Sequence, residues 1–348
     1  MRDSRRTDRY GWGNLSAEFA QPPETPELGS VSWQPTATPE TLRLRGALLS
    51  EIRRFFAERS ALEVETPALS AAGAPDPALE LMTVQAAGLG AEPYYLHTSP
   101  EYAMKRLLAA ANGDIYQICR VFRDRERGRW HEPEFTLLEW YRVGWNEVQL
   151  MDEVESLLGA LLEPHHGPIR ATRISYRDVF REVLNVDPAA AESELRAALA
   201  REAIDAPANI SGDGLLDLAL SQAIVPRLDR NTVSFIYDFP VTQAGLARIK
   251  PGDPPVAARF EAFSGGIELA NGFGELTDAT EQKQRFDAEL ARRRRDGQHE
   301  PPLDERFLEA LRHGLPACAG VAVGVDRLVA LAAGLTNIAA TISFAHGP

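Results

Sequence analysis

Apolar residues recur at Leu42, Leu44, Leu48, Leu49, Ile52, Phe55 and Phe56, a broad face that predicts an amphipathic helix up to about Arg59. Thr38-Pro39-Glu40 opens it, with proline at the first helical position and an acid in the first turn. Residues 62–67 alternate like a short strand closed by Pro67. Residues 94–96 read as a strand, and Ser99-Pro100-Glu101 as the entry to a helix that Asn112-Gly113 stops. Residues 114–123 and 135–141 then alternate as two strands around a charged loop, which predicts a long antiparallel hairpin. Residues 146–230 read mostly as helices (146–162, 175–184, 191–203 and 214–228), a helical insertion. Strand returns at 232–237 and at roughly 257–269. Helices are expected at about 279–295 and 303–313, then a small-residue strand at 317–323 and a last helix at about 325–333. Sheet in pieces with helices between them predicts an α+β fold, mainly antiparallel. Residues 1–36, rich in Pro, Gly and Ser and without an apolar period, read as a flexible tail before one domain at 37–348.

Composition narrows the class. Of 348 residues, 44% are hydrophobic and 25% charged, the profile of a soluble globular protein. The chain contains no apolar run of the ~20 residues a membrane helix needs, and its N-terminus lacks the apolar stretch of a signal peptide. A cytoplasmic protein with no membrane partner is expected. Two cysteines, Cys119 and Cys318, cannot form a disulfide framework, which fits a reducing compartment. Lys plus Arg total 37 against 50 Asp plus Glu, a net charge of −13. That balance argues against coating nucleic acid by bulk charge, and leaves room for a local cationic pocket.

Such a pocket is suggested at 123–134. Arg123, Arg125, Arg127 and Arg129 recur at every second position, a spacing that on a hairpin puts them on one side, facing something anionic. A solvated hairpin tip fits the same spacing. Alternation places Arg123 on one face with Phe135, Glu139 and Tyr141, so a guanidinium, an aromatic plate and a carboxylate suit a nucleotide and a second, cationic ligand. A second cluster is Gly265-Gly266-Ile267-Glu268-Leu269-Ala270-Asn271-Gly272-Phe273-Gly274-Glu275. Its two carboxylates, seven apart, suit Mg²⁺ beside phosphates or an ammonium group; a bent, Gly-rich edge strand is the alternative. Strict alternation sets Glu268 and Asn271 on opposite faces, so a shared site needs a strand end or bulge near Asn271-Gly272. The third cluster, Gly320 to Arg327, is a glycine-punctuated strand entering a helix, in which Asp326 and Arg327 read as a helix-start ion pair. The run Arg292, Arg293, Arg294, Arg295 reads as a solvated helix end whose cations offset the helix dipole. No Ser/His/Asp or Cys/His arrangement can be assembled.

Taken in order, 62–67, 120–141 and 320–327 resemble motifs 1, 2 and 3 of the class II aminoacyl-tRNA synthetases. The strings FRDRERGRWHEPEFTLLEWY and GGIELANGFGELTDATEQKQRF are similar to the lysyl branch, and the resemblance spans about residues 31–344. Lysyl-tRNA synthetases carry an anticodon-binding OB domain before motif 1, which 36 tail-like residues do not supply. They also read Ala-Pro-Glu and Gly-Leu-Gly-Ile-Gly where this chain has Ser99-Pro100-Glu101 and Gly320-Val321-Ala322-Val323-Gly324. Those variants, with SWQP at 32–35 and SPEYAMKRLL at 99–108, resemble the truncated lysyl paralogues that attach (R)-β-lysine to a lysine of elongation factor P.

The resemblance implies the class II core, usually a homodimer through motif 1, and a two-step ligase that uses ATP and Mg²⁺. Its acceptor would be elongation factor P, with no stable tRNA binding. By analogy, Arg123 meets the α-phosphate, His131 and Glu132 lie in the loop over the nucleotide, Phe135 stacks on adenine, and Arg327 closes the far side. Asp124, Arg125, Glu268, Leu269 and Gly324 complete the implied ATP site. Ser99, Pro100, Glu101, Glu139, Tyr141, Asn271, Glu275 and Ala322 line the implied amino-acid site. Glu268 and Glu275 are the implied metal ligands. One position departs from the lysyl pattern Phe-Arg-x-Glu: the chain has Phe122-Arg123-Asp124-Arg125, with glutamate one later at Glu126. Either Glu126 substitutes through a shifted loop, or the adenine and amine contacts are weakened. An adenylate-forming enzyme with another acceptor and a non-catalytic amino-acid-sensing paralogue are the competing readings.

Overall fold

The computed structural model describes residues 33–85 and 87–346, so the expected tail lies, through residue 32, outside the described residues. Helix α1 (Pro39–Ala57) forms on the predicted face: the Thr38 hydroxyl accepts from the Thr41 N–H, and Leu48, Ile52, Phe55 and Phe56 are buried. Four short strands follow, β1 (Leu62–Glu63), β2 (Leu69–Ser70), β3 (Thr83–Val84) and β4 (Tyr94–Leu96), and then α2 (Glu101–Ala109). The predicted hairpin is β5 (Ile115–Phe122) and β6 (Glu134–Val143), paired antiparallel along their length.

Helix α3 (Glu147–His166) starts with a capping box between Asn146 and Gln149. Next comes a strand the sequence reading lacked, β7 (Arg170–Ser175), inside the span read as helices. Its charged alternation looks solvated in one dimension, yet it pairs in parallel with β8 (Thr232–Pro240) at the sheet edge. Between them lie α4 (Tyr176–Leu184), α5 (Glu192–Arg201) and α6 (Asp213–Ala219), with their own core built on Phe180, Leu199 and Leu215. The expected strand at 257–269 is two strands, β10 (Val256–Ser264) and β11 (Ile267–Gly274), after the short β9 (Ile249–Lys250). Gly265 and Gly266, at φ 63° and 80°, make the hairpin turn between β10 and β11, a left-handed pair that favours glycine. Then come α7 (Ala279–Arg295), α8 (Glu305–Gly314), β12 (Cys318–Gly324) and α9 (Val325–Ala332).

The main sheet, nine-stranded among the described residues, runs β1-β5-β6-β12-β11-β10-β8-β7, with β9 on β10; β2, β4 and β3 form a small second sheet. Only the β1–β5 and β7–β8 pairs are parallel. The Gly-rich strand β11 therefore lies inside the sheet, and the edge-strand alternative does not hold. One face of the sheet is the main core: Leu138, Trp140, Val321, Val323, Phe235 and Phe260 pack with residues of α1, α3 and α9. The opposite face carries α2, α7 and α8 over part of its area, through Met104, Leu108, Phe286 and Phe307. What those helices leave open is a cleft.

Candidate active site

Alternation decides which residues floor the cleft. In β6 the even residues Leu138 and Trp140 enter the core, so Phe135, Leu137, Glu139 and Tyr141 face the cleft, as predicted. In β12 the core takes Val321 and Val323, leaving Gly320, Ala322 and Gly324 on the cleft floor. Register then sets rows across the sheet: Tyr141–Gly320–Phe273 and Glu139–Ala322–Asn271. The small residues matter. A Cβ on Gly320 would overlap the Tyr141 ring and Glu275 Oε1, so glycine is what lets these two groups close over the strand.

In β11 the condition for a shared site is met by a bulge, earlier than expected. Ala262 pairs with Ala270 and Phe263 with Glu268, which leaves Leu269 as the extra residue. The bulge flips the parity, and Glu268 joins Asn271 on the cleft side.

The cleft has a volume of about 820 Å³. Its lining includes Ser99, Pro100, Glu101, Arg123, His131, Glu132, Phe135, Glu139, Tyr141, Glu268, Leu269, Asn271, Glu275, Ala322, Gly324 and Arg327. Two expected residues are not brought there. Asp124 turns away, pairing its N–H with Glu80 O and accepting the Arg125 N–H on Oδ1. Arg125 is exposed, with φ 61°. That left-handed residue absorbs the extra position in the loop, and Glu126 turns into the cleft with Oε1 3.5 Å from Arg123 Nη1. Glu126 thus lines the cleft beside Arg123, while Arg125 does not.

At the phosphate-suited end, Arg123 lies over the Phe135 ring, 5.0 Å from its centroid, and donates to Thr98 O. Arg327 does not pair with Asp326. Its Nη1 donates to Glu268 O at 2.9 Å and to Glu268 Oε2 at 3.3 Å, and its Nη2 lies 3.0 Å from His131 Nε2. A guanidinium can only donate, so this His131 nitrogen accepts. Burial, with Arg327 next, lowers the His131 pKa, in keeping with a neutral ring. Asp326 is buried and accepts from Arg45 Nη1 and the Thr136 N–H, each at 2.6 Å, which fixes the start of α9 against α1 and β6.

The other end is acidic and largely buried. Glu139 is 3% exposed; it accepts from the Tyr141 hydroxyl at 2.6 Å and the Ser99 hydroxyl at 2.7 Å. Lys105, fully buried, was absent from the sequence reading. It lies 2.5 Å from Glu101 Oε1 and 2.6 Å from Glu275 Oε2. Its ammonium therefore bridges the two carboxylates. Burial, then Glu101, pushes Glu139 up to about 7; burial pushes Glu275 up to about 8 against the pull of Lys105. Burial alone would lower the Lys105 pKa, but Glu101 and Glu275 raise it above its ordinary value. The ammonium stays charged.

The expected Mg²⁺ pair requires correction. Glu268 and Glu275 stand at opposite ends of β11, about 20 Å apart by the rise of a strand, and Glu275 is committed to Lys105. The carboxylate the fold brings near Glu268 is Glu261, on the paired strand and the same face after the bulge and ion-paired to Arg259; burial raises it to about 7 against the pull of Arg259, and the Glu268 charge adds to this. Asn271 Oδ1 is buried there without a partner. Among the described residues, no group of three or more His, Cys, Asp or Glu forms an all-protein metal cage, and Mg²⁺ beside phosphates does not require one.

The run at the end of α7 also differs from expectation. Arg293 is buried and donates to Pro75 O, Asp76 O, Leu79 O and His299 O, which pins the segment that forms one wall of the cleft. Cys119 and Cys318 are free thiols. No helix of the described residues is long and apolar enough to cross a membrane.

Residues 30–347 match the family model described as tRNA synthetases class II (D, K and N). An elongation factor P–(R)-β-lysine ligase of Yersinia enterocolitica is 45% identical over 91% of this chain and 98% of its own length. Ligases of the same name from Salmonella gallinarum and Salmonella arizonae are 46% and 45% identical, each over 90% of this chain and 98% of their own length. A core built from motifs 1, 2 and 3 around one cleft, together with these relatives, places the chain: it belongs to the class II tRNA synthetases of the D, K and N group and, within them, to the elongation factor P–(R)-β-lysine ligases.

Proposed function

We propose that this protein is an ATP-dependent ligase that activates (R)-β-lysine as an aminoacyl-adenylate and transfers it to a lysine side chain of elongation factor P. The observation that carries the substrate class is the charge of the buried, acidic end of the cleft. Three carboxylates, Glu101, Glu139 and Glu275, face one ammonium, Lys105, which leaves two negative charges unbalanced when all are ionised. A ligand with two ammonium groups balances them; a monoamino acid leaves one buried charge unpaired, at a cost of several kcal/mol.

The first step forms a bond from the amino-acid carboxylate oxygen to the α-phosphorus and breaks the bond to pyrophosphate. Arg123, at the hairpin edge beside Phe135, is placed to stabilise the charge that develops on the α-phosphate. Phe135 offers its ring to adenine once Arg123 moves to the phosphate. Arg327, braced by Glu268 and neutral His131, serves the opposite side of the nucleotide. Glu268, with Glu261 beside it, is the carboxylate set that would hold Mg²⁺, and the bound ion would neutralise phosphate charge. The second step forms the amide from the acceptor amine and releases AMP. Neither step needs an enzyme nucleophile, so catalysis is positioning and charge stabilisation.

The exposed Leu62 on edge strand β1 supports a homodimer through that edge, which sedimentation would test. The function is tested by ATP–pyrophosphate exchange with a panel of amino acids, followed by transfer of labelled (R)-β-lysine to elongation factor P with tRNA present as a competitor. Exchange that depends on (R)-β-lysine, with label on the protein acceptor, is the expected result. Ribonuclease-sensitive label, or no diamino-acid-dependent exchange, would overturn it.

A further inference from the structure

Lys105 does not line the cleft, yet it touches two of the three carboxylates that do. It sits on α2, one helical turn after Glu101, and reaches under the end of β11 to Glu275. Its side chain has no exposed surface, and its ammonium is 5.9 Å from the centroid of the Phe307 ring. Burying a lone ammonium is expensive, and a chain needing only to fill this space would place methionine or leucine there.

What the cation contributes is a count and an orientation. Without it, three carboxylates would share one buried site, and repulsion would hold protons on them to still higher pH. With it, the site can hold two net negative charges while Glu101 and Glu275 are turned toward the cleft. We propose that Lys105 is a positioning residue for the amino-acid site: it lets the pocket reach two net negative charges, and no more, when a ligand enters, and thereby matches it to a diammonium ligand.

The assignment rests on the diamino-acid reading above. The titratable groups facing Lys105 and its partners come from four directions. They are Glu101 and Tyr102 on α2, Glu139 and Tyr141 on β6, Glu275 after β11, and Cys318 at the start of β12. Burial raises the thiol and both hydroxyls above their ordinary values, so in the neutral range they stay uncharged and the count belongs to the carboxylates and Lys105.

Lys105→Met keeps the length of the chain and removes the charge. Its thermal unfolding should remain cooperative, and ATP binding, measured without amino acid, should stay within about twofold of wild type. The KM for (R)-β-lysine at pH 7 is expected to rise tenfold or more, with a smaller change in kcat at saturation. The acidic limb of kcat/KM should move up by about one pH unit, since an adjacent opposite charge typically lowers a carboxyl by that much or more. The double variant Lys105→Met/Glu275→Gln removes one charge of each sign and should return the limb toward wild type, which a purely structural loss would not do. A folded single variant with an unmoved limb overturns the assignment, and so does failure of both variants to fold. If calorimetry shows that wild type binds no diamino acid, the functional reading falls and this one with it; binding with an unmoved limb removes Lys105 alone.

Discussion

Ala322 stands directly across the β6–β12 pairing from Glu139, so its methyl group and that carboxylate share one row of the cleft floor. Asn271 flanks Ala322 on its other side. In the proposed amino-acid site, a methyl at this place would crowd an amine carried on Cα and leave space for one carried on Cβ. Ala322→Gly is therefore expected to shift preference toward (S)-α-lysine by roughly 10²-fold, read as the ratio of kcat/KM values for the two isomers in pyrophosphate exchange. A variant with the wild-type ratio would remove Ala322 from the specificity argument.

Arg123 and Arg125, two residues apart, should behave in opposite ways. Arg123 lines the cleft beside Phe135, and in the proposed reaction its guanidinium stabilises the α-phosphate, so Arg123→Ala is expected to cost ~10²–10³ in exchange rate. Arg125 is exposed, outside the cleft and at positive φ. Arg125→Glu should leave exchange within a few-fold of wild type, and Arg125→Gly should be neutral or slightly stabilising because glycine accepts that φ without strain. A large loss of exchange in either Arg125 variant would mean that the loop closes differently on ATP.

The contrast between these two arginines shows what a sequence can carry. Strict alternation along two strands was enough to put Phe135, Glu139 and Tyr141 on one face with Arg123, because a period of two survives folding unchanged. It failed wherever one residue broke the period. Leu269 is an unpaired extra residue, and its bulge, not the alternation, decides that Glu268 shares a face with Asn271. Arg125 is another such break, at the mouth of the hairpin. Gly265-Gly266 carries a hairpin signal that a single expected strand over 257–269 passes over, and with it the pairing that sets Glu261 beside Glu268. Lys105 and Arg293 were invisible for a different reason. A cation on an amphipathic helix looks solvated, and only the packing of α2 and α7 against the rest of the fold shows that each is enclosed by acceptors.

Gly320 makes a sharper test of the amino-acid site. Its backbone is ordinary strand, so alanine there meets no conformational penalty, only the Tyr141 ring and Glu275 Oε1. Both belong to the acidic end. Gly320→Ala should lower kcat/KM for (R)-β-lysine by 10²-fold or more while ATP binding, measured alone by calorimetry, changes little. Equal losses for the two ligands would indicate that the sheet itself has been disturbed.

The raised carboxyls give two pH dependences of opposite sign. Glu139, Glu275 and Glu261 have ordinary values of 4.5 and are pushed to about 7, 8 and 7 in the fold, chiefly by burial. Between those limits the folded protein binds more protons than the unfolded chain, so the stability of the ligand-free protein falls as pH rises from about 5 to 8. Binding of a diammonium ligand runs the other way, because it requires the carboxyls of its own site, Glu139 and Glu275, in their ionised form, and it strengthens over the same range. Melting temperatures measured every half unit from pH 5 to 8.5 should therefore decline without ligand. The added stability from saturating (R)-β-lysine should grow toward pH 8, and binding near pH 7 should release protons in proportion to the fraction still held on Glu139 and Glu275. A ligand increment that is flat across this range, with no proton release, would mean that these carboxyls are already ionised in the free protein and that burial does not control the site.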